Sequence, residues 1–396
     1  MTESARDGHA RLRAPGLDWV LMGAVLGLLV IGTLLVWSAT SSREALTGGD
    51  PTAYLSKQLS NVAIGLVLMA VVMAVDHRWL RILTPAVYLA SVVGLVLVLS
   101  VGATVNGSRS WLDLAGLSIQ PSEFAKLAVV VGMALVVAER AEGGWRHAVG
   151  RVDVLAMLAV AALPAVLILL QPDLGTMLVL SATVFGVLAA AGTPRRWLAV
   201  LAGSALGAAA AAVALGVLRQ YQIDRFLAFT NPQLDPRGAG YNTEQARIAV
   251  GNGGLFGQGL FAGSQTRSGF VPEQHTDFIF TVAGEELGLV GAGLLIVLLG
   301  VVVWRALVIA AAADDLFGRV AAAGIACWFG FQAFQNIGMC LGIMPVTGVP
   351  LPLVSYGGSA MFACLIAVGM LHNIRLRTEG ALPTGLLAPA RTFVGR

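Results

Sequence analysis

The chain of 396 residues is 57% hydrophobic and only 12% charged. This composition is typical of a polytopic membrane protein and excludes an ordinary soluble domain. The net charge of +3 is small and the basic residues are spread along the chain, which argues against a nucleic-acid surface. Cys327, Cys340 and Cys364 stand in apolar segments without metal-ligand spacing and are interpreted as small buried hydrophobes.

Three N-terminal arginines precede an apolar run from Val20 to Trp37. This run exceeds the roughly 7–15 residues of a signal-peptide core, so it is predicted to be a retained spanning helix. Further runs of spanning length follow along the chain. The predicted fold class is an all-α polytopic membrane protein with about ten transmembrane helices, near 18–38, 58–76, 80–101, 121–139, 152–171, 174–192, 197–218, 277–304, 319–342 and 353–373.

The arginines of the short loops gather on one side of the predicted bundle. Cytoplasmic loops carry an excess of basic residues, so both termini are predicted to be cytoplasmic. The one large loop, at 219–275 between helices 7 and 8, is then external. The predicted organisation is a cytoplasmic tail at 1–17, a single transmembrane domain at 18–376 and a second cytoplasmic tail at 377–396.

A glycine-rich stretch at 251–259 lies within the large loop. A phosphate-binding loop would need a preceding strand and a following Gly-Lys-Ser/Thr, and this stretch has neither. The glycines are better explained as tight turns against the membrane.

The first polar cluster combines Arg109 and Trp111 with Gln120, Glu123 and Lys126. The last three are spaced three apart, which places them on one face of the fourth helix near its external end. One interpretation is a Glu–Lys pair that neutralises itself in the membrane. The other is the polar wall of a cavity in which Lys126 contacts a phosphate.

The second cluster centres on Asp173, between the fifth and sixth helices. In isolation the simplest interpretation is an N-cap, because Asp favours that position.

The third cluster is His275, Thr276 and Asp277, where a polar loop becomes an apolar helix. Thr276 or Asp277 could cap that helix. A functional role is preferred for Asp277, since an ionisable group at membrane depth is costly and a partly desolvated carboxylate can act as a general base. His275 could tune it. Glu285 and Glu286 lie deeper in the helix. A structural packing role and a functional role are equally possible for them.

The fourth cluster spans 345–359 and contains Ser355. Its three prolines force an irregular backbone, which is tolerated at membrane depth only where protein or a wet cavity receives the freed polar groups. From the residues alone, a transporter pore, a lipid-substrate enzyme and a receptor all remain possible.

Taken together, these motifs resemble the SEDS family of shape, elongation, division and sporulation proteins, typified by RodA and FtsW. The segments 120–123, 171–176, 272–280, 284–288 and 352–359 occur in the family's order, and the resemblance covers roughly residues 15 to 378. Several positions look more like the RodA branch. Lys57 stands where the family often has Arg, so bidentate phosphate contact would be lost.

The resemblance implies a peptidoglycan glycosyltransferase that polymerises lipid II for cell elongation and rod shape, in the bacterial plasma membrane with its active site on the external side. The implied partners are lipid II, a class B penicillin-binding transpeptidase, other elongation-machinery proteins and membrane lipid, with no nucleic acid. No tightly bound cofactor is implied, although a divalent cation such as Mg or Mn would fit a pyrophosphate leaving group. Asp277 is implied as the catalytic carboxylate, and the candidate substrate-binding residues are Lys57, Arg109, Trp111, Gln120, Glu123, Lys126, Asp173, His275, Thr276 and Ser355.

The expected reaction is inverting glycosyl transfer with β-1,4 bond formation, in which Asp277 takes the proton of the acceptor hydroxyl and Lys57, Arg109 and Lys126 offset the charge of undecaprenyl pyrophosphate. A lipid II flippase is the main alternative, and it should continue its polar residues towards the cytoplasmic side. A non-catalytic scaffold for a transpeptidase would not require charged residues within the membrane.

Overall fold

The computed structural model describes residues 16–105, 108–114, 117–141, 149–216, 223, 229 and 238–378. The outer parts of both predicted tails, and much of the predicted loop between 217 and 237, lie outside these residues. The described helices are α1 Trp19–Ser41, α2 Glu44–Thr47, α3 Ala53–Ala74, α4 His77–Val101, α5 Pro121–Arg140, α6 Arg151–Leu170, α7 Leu174–Ala190, α8 Arg195–Ala214, α9 Ala239–Asn252, α10 Ser264–Ser268, α11 Ile279–Ala312, α12 Leu316–Leu341 and α13 Gly358–Thr378.

The predicted all-α polytopic architecture is confirmed. Nine described helices are long and apolar enough to cross a membrane, and α7, with 17 residues, falls just short of that length. Helices α5, α12 and α13 are buried over most of their length and form the centre of the bundle. In contrast, α8 buries no residue and lies at the periphery beside α7.

Several predicted boundaries differ from the structure, and two of these differences bear on the site. The last helix begins at Gly358 rather than at 353, because the preceding proline-rich segment stays irregular. The eighth predicted helix corresponds to α11, which extends to Ala312 and is broken at Gly288 (φ 65°, ψ −167°). Its 34 residues would measure about 51 Å if straight, well beyond a hydrocarbon core of about 30 Å. The break divides it into a short segment at 279–287 and a spanning segment at 289–312.

A small antiparallel sheet that the sequence did not suggest joins α4 to α5. Its strands are β1 Ala103–Val105, β2 Ser108–Leu114 and β3 Leu117–Ile119, in the order β1-β2-β3. The register pairs Thr104 with Arg109 and Asp113 with Ser118. Pro121 follows at the first position of α5, where its missing N–H costs no hydrogen bond.

Ion pairs fasten the helix ends at one end of the bundle, which we call the arginine end. Asp18, at the N-terminus of α1, is buried and contacts both Arg305 of α11 and Arg375 of α13. The other pairs at this end are Arg81–Glu139, Arg140–Asp153 and Arg377–Asp76. The predicted clustering of short-loop arginines on one side is therefore observed. We call the opposite end the site end.

We expect Asp18→Asn to lower the free energy of unfolding by about 2 kcal/mol or more. Asn still caps α1, but two arginines lose a buried carboxylate, and breaking a buried ion pair typically costs roughly 3–5 kcal/mol. Thermal unfolding in detergent measures the change. Asp76→Asn is the matched control: Asp76 also caps a helix, and its pair with Arg377 is half exposed, so the loss should be much smaller than in Asp18→Asn. Equal losses in the two variants would contradict this assignment.

Candidate functional site

The candidate site is built where two irregular segments meet at the site end. One is the loop 272–278 that leads into α11, and the other is the segment 345–357 between α12 and α13. Pro345, Pro350 and Pro352 keep the second segment out of a helix, because proline lacks the N–H that a helix needs. Gly348 adopts a positive φ of 69°, and a Cβ there would lie 3.2 Å from Asp277 Oδ2. The absence of a side chain at 348 therefore leaves room for the carboxylate.

Buried polar groups fix the backbone around Asp277. Asn336 of α12 donates from Nδ2 to the carbonyl oxygens of Asp277 (2.6 Å) and Val349 (2.7 Å), and so joins the two segments. The N–H of Tyr356 donates to the carbonyl of His275 at 3.0 Å. These bonds hold the main chain while the Asp277 side chain stays partly exposed.

Ser355 serves the same framework. Its Oγ donates to the carbonyl of Thr276 at 2.6 Å and accepts the N–H of Leu351 at 2.8 Å, and the side chain is buried. With its hydroxyl used in both directions, Ser355 is placed to position the loop. The sequence had instead suggested Ser355 as a substrate contact.

Asp277 lies outside the helix that follows it. Helix α11 begins at Ile279, and its N-cap position is Phe278 with no side-chain cap. The interpretation of Thr276 or Asp277 as the cap is therefore wrong. Thr276 Oγ1 instead donates to the carbonyl of Glu273 at 3.1 Å.

His275 sits in an aromatic cluster with Tyr54 and Tyr356, with ring centroids 5.1 and 5.6 Å away. Burial and the Arg43 guanidinium lower the pKa of its imidazole to about 4. His275 is therefore neutral near pH 7 and gives Asp277 no positive charge. Lys57 lies exposed at this cluster, its ammonium 5.1 Å from the centre of the Tyr54 ring.

Asp173 is the N-cap of α7, as the simpler interpretation predicted. Its carboxylate accepts the N–H of Thr176 at 3.0 Å and the Thr176 hydroxyl at 2.7 Å. Gln120 Nε2 lies 3.5 Å from Asp173 Oδ2. A Cβ on Gly175 would overlap the carbonyl of Thr347, so the start of α7 packs directly on the segment that contacts Asp277. Asp173 and Gln120 thus lie next to the segment 345–357, on the side where α7 begins.

Glu123 and Lys126 form a closed, buried pair in α5. Lys126 Nζ lies 2.7 Å from Glu123 Oε1, and their side chains are 1% and 0% exposed. Lys126 also donates to Gln332 Oε1 at 2.7 Å, and Gln332 Nε2 donates to the carbonyl of Pro350 at 2.8 Å. This geometry favours the self-neutralising pair. It links α5 and α12 to the segment 345–357 but gives Lys126 no exposed surface for a phosphate.

Arg109 and Trp111 lie on β2, apart from the contacts that surround Asp277. Arg109 is exposed and donates from Nη1 to the carbonyl of Leu99 at 3.2 Å, while Trp111 is half-buried. The sheet reaches the bundle through Gln120, whose N–H donates to Ser359 Oγ at 2.9 Å.

Glu285 and Glu286, left open by the sequence, are structural here. The Glu285 carboxylate accepts four hydrogen bonds of 2.7–3.2 Å from the first turn of α10, two from backbone N–H groups and two from the hydroxyls of Ser264 and Thr266. Glu286 Oε1 accepts the hydroxyl of Ser38 at 2.6 Å. Both carboxylates fasten the loop before the site to the helices around it.

Within the described residues, no three His, Cys, Asp or Glu side chains gather into a metal-ligand group. Mg²⁺ in enzymes of phosphate substrates is often held by one or two carboxylates plus the substrate's own oxygens. A cation at this site would have to be held in that way.

Sequence reasoning missed Asn336 and Arg43 as parts of the site. Arg43 donates from Nη2 to the carbonyl of Val271 (3.1 Å) and to Gln274 Oε1 (2.7 Å), tying the end of α1 to the loop. The available signal for Asn336 was a pair of amides, Gln335 and Asn336, inside an apolar helix, since polar residues at membrane depth usually bond to something specific.

The fold and site define a polytopic membrane protein with a carboxylate site at one end of the bundle. Comparison with known proteins identifies its family. The family model described as "Cell cycle protein" (FTSW_RODA_SPOVE) matches residues 19–380. The chain belongs to this family, the SEDS family that the sequence motifs resemble.

Among relatives, the chain is 38% identical over 93% of its length, and 95% of the other protein, to the "Probable peptidoglycan glycosyltransferase FtsW" of Trichlorobacter lovleyi. It is 37% identical to the "Peptidoglycan glycosyltransferase MrdB" of Escherichia coli K12, over 90% of this chain and 93% of that one. A solved structure titled "Structural coordination of polymerization and crosslinking by a peptidoglycan synthase complex" matches with a TM-score of 0.75 at 33% identity, over 91% of this chain and 98% of that chain.

We expect Glu285→Gln to release α10 from the site. An amide presents an NH₂ group to backbone donors, and hydrogen bonds to a charged group contribute roughly 1.5–3 kcal/mol each. Trypsin cleavage after the exposed Arg267 should accelerate by about tenfold or more, since 1.4 kcal/mol of local opening is a tenfold population change. Mass spectrometry of the fragments gives the rate. Glu244→Gln, on the exposed face of α9, is the control and should leave cleavage after Arg267 unchanged, whereas unchanged cleavage in Glu285→Gln would refute the fastening role.

Proposed function

We propose that this protein polymerises lipid II into glycan strands, using Asp277 as the general base of an inverting glycosyl transfer. As a member of this family, with relatives named peptidoglycan glycosyltransferases, the chain is an enzyme of that class. The observation that carries the proposed mechanism is the setting of Asp277. Its main chain is fixed by Asn336 while its carboxylate, only partly exposed, lies at the site end of the bundle.

In the proposed reaction, the Asp277 carboxylate accepts the proton of the acceptor's 4-hydroxyl group as that oxygen attacks the anomeric carbon of the donor. A β-1,4 bond forms, and the bond to undecaprenyl pyrophosphate breaks with inversion. Soluble inverting glycosidases need a second carboxylic acid to protonate the leaving oxygen. A pyrophosphate leaves without protonation, so one base is sufficient.

The leaving group develops negative charge, which fixed cations would stabilise. Lys57 is the best placed of the three candidates, because its ammonium is exposed beside the Tyr54–His275–Tyr356 cluster. Arg109 is exposed on the neighbouring sheet and could reach a long substrate. Lys126 would contribute only if its pair with Glu123 opened, so we assign it to the framework. A divalent cation held between pyrophosphate oxygens and a carboxylate remains compatible with this arrangement.

We place the protein in the bacterial inner membrane, with the arginine end in the cytoplasm and the site on the external side. The positive-inside rule supports this orientation, because the ion-paired arginines Arg81, Arg140 and Arg305 gather at one end. We also propose a role in elongation with a class B penicillin-binding protein as partner. The RodA-like motifs support the first, and the matching peptidoglycan synthase complex supports the second.

A flippase would need a polar path from one end of the bundle to the other. The buried Glu123–Lys126 pair lies in the first two turns of α5, near the site end, and the next described ion pairs of α5 occur at its other end, at Glu139 and Arg140. Between them α5 is lined by buried apolar residues, among them Val130, Met133 and Val137. This arrangement favours the enzyme.

Replacing Asp277 with Asn should lower the rate of polymerisation by at least about 10²-fold, because a positioned general base typically contributes 10²–10⁴-fold. The measurement is glycan-chain formation from purified lipid II in liposomes, with and without the cognate transpeptidase. Thermal stability should be close to wild type. Asp314→Asn, an exposed acid at the arginine end, is the control and should polymerise normally. Near-normal polymerisation by Asp277→Asn would exclude Asp277 as the base.

His275 should not contribute to the pH dependence of the rate between pH 5 and 8. Its pKa of about 4 lies below the ordinary 6.5, so the folded protein keeps it neutral, and stability is lost only as pH falls below 6.5 towards 4. His275→Gln should reduce kcat, because packing on Tyr54 and Tyr356 is lost. The fall in rate at acidic pH (the acid limb of the pH–rate profile) should stay at the same pH. Loss or displacement of that limb would show that His275 titrates during turnover.

A further inference from the structure

The glycine-rich stretch at 251–259 is the sequence motif that the proposed reaction does not use. In the structure it crosses the break of α11 and completes its hydrogen bonding. The N–H groups of Leu289 and Val290 donate to the carbonyls of Gly254 (2.9 Å) and Leu255 (3.1 Å). In the other direction, Gln258 and Gly259 donate to the carbonyls of Glu285 (2.9 Å) and Glu286 (3.0 Å). Four backbone groups that the break would leave without their helical partners are paired in this way.

Glycine is required for this fit. A Cβ on Gly253 would overlap the carbonyl of Gly284, and one on Gly257 would overlap that of Glu286. A Cβ on Gly288 would overlap the N–H nitrogen of Gly257. The loop and the broken helix therefore meet backbone to backbone, and the position of the loop relative to the helix is fixed.

The length of α11 beyond the break is a first marker of where the membrane edge lies at the site end. From Leu289 to Ala312, α11 has 24 residues, which is about 36 Å and spans a hydrocarbon core of about 30 Å with little to spare. A second marker lies at the same level. Trp37, in the last turns of α1, makes an edge-to-face contact with Phe261 at 4.8 Å, and tryptophan is enriched at membrane interfaces.

At this level the loop exposes apolar side chains. Leu255 is 61% exposed and Phe256 is 80% exposed, and Leu260 and Phe261 are also exposed. Residues 251–263 contain no charged side chain. The surface continues into Leu289 and Val290, exposed at the start of the spanning segment. We call residues 254–261 the interfacial loop.

We propose that the interfacial loop is a membrane anchor, with Leu255, Phe256 and Leu260 inserted among the acyl chains of the leaflet at the site end. Phospholipid is the occupant that the observations favour, because the apolar surface is continuous with the lipid-facing side of α11 and lies at the depth where that helix enters the bilayer. An apolar segment of this kind inserts about 5–10 Å below the headgroup boundary.

The anchor is connected to the site by the loop that follows it. Ser264 and Thr266 bond to Glu285, and Gln274 Nε2 reaches Thr266 Oγ1 at 3.3 Å. Gln274 belongs to the same segment as Asp277 and is held by Arg43. Insertion of the interfacial loop would therefore set the height of the Asp277 segment above the bilayer. This inference goes beyond the proposed reaction and does not depend on it.

The test places a nitroxide label at Phe256→Cys and compares it with Ser268→Cys on α10, in the full-length protein in phosphatidylethanolamine–phosphatidylglycerol liposomes. Of the native cysteines, Cys340 and Cys364 are buried and Cys327 is half-buried, and unsubstituted protein carried through the labelling gives the background. Collision rates with oxygen, which partitions into lipid, and with a water-soluble nickel chelate report the depth of each label.

We expect the label at 256 to collide mainly with oxygen, at a depth of about 5–10 Å, and the label at 268 mainly with the chelate. Leu260→Cys supplies a second inserted position if the label at 256 prevents folding, and it should behave like 256. Labels at 256 and 260 that meet the chelate as freely as the label at 268 would overturn the proposal. Shielding of both from oxygen and chelate alike would do so too, since it would mean that protein covers the surface. These readouts need no catalysis, so they are separate from the test of Asp277.

Discussion

The structure depends on one constraint: a backbone that leaves regular helix near a membrane must still bond every N–H and carbonyl group. This protein does so at two places with different devices. At the site, the side-chain amide of Asn336 bonds to the carbonyls of Asp277 and Val349 and so supports two irregular segments at once. At the break of α11, a glycine-rich loop supplies its own backbone as the partner. The first device positions the backbone that carries a carboxylate, and the second fixes the loop that leads to it.

Charge is divided between fastening and function. Asp18 with two arginines, Glu123 with Lys126, and Glu285 with the start of α10 are buried and internally satisfied over most of their oxygens. Isolated charges in such places would be costly, so their pairing explains how the helices tolerate them. Asp277 and Lys57 differ because they keep exposed surface at the site end. In the proposed reaction these two exposed groups meet the substrate, and the buried ones hold the surface that carries them.

Much of this could be predicted from the sequence, because hydropathy and capping are local. The spanning helices, the N-cap role of Asp173 and the irregular segment at 345–357 follow from residue type and spacing. The break at Gly288, the neutral state of His275 and the framework role of Ser355 could not be predicted, since each depends on residues distant in the chain. Gly288 needs the loop at 254–259, His275 needs Arg43, and Ser355 needs Thr276. Lys126 shows the same limit, because only the fold reveals that Gln332 and Trp328 enclose it.

If Asn336 positions Asp277 for the reaction, polymerisation of purified lipid II by Asn336→Ala in liposomes should reveal it. Asp277 keeps its carboxylate in this variant but loses the amide that holds its main chain. A displacement of about 1 Å at a catalytic group can cost about 10²-fold in rate. We expect kcat to fall by about 10²-fold, while KM for lipid II stays within a few-fold of wild type and thermal unfolding shows a folded protein. A normal kcat in Asn336→Ala would contradict this role of Asn336.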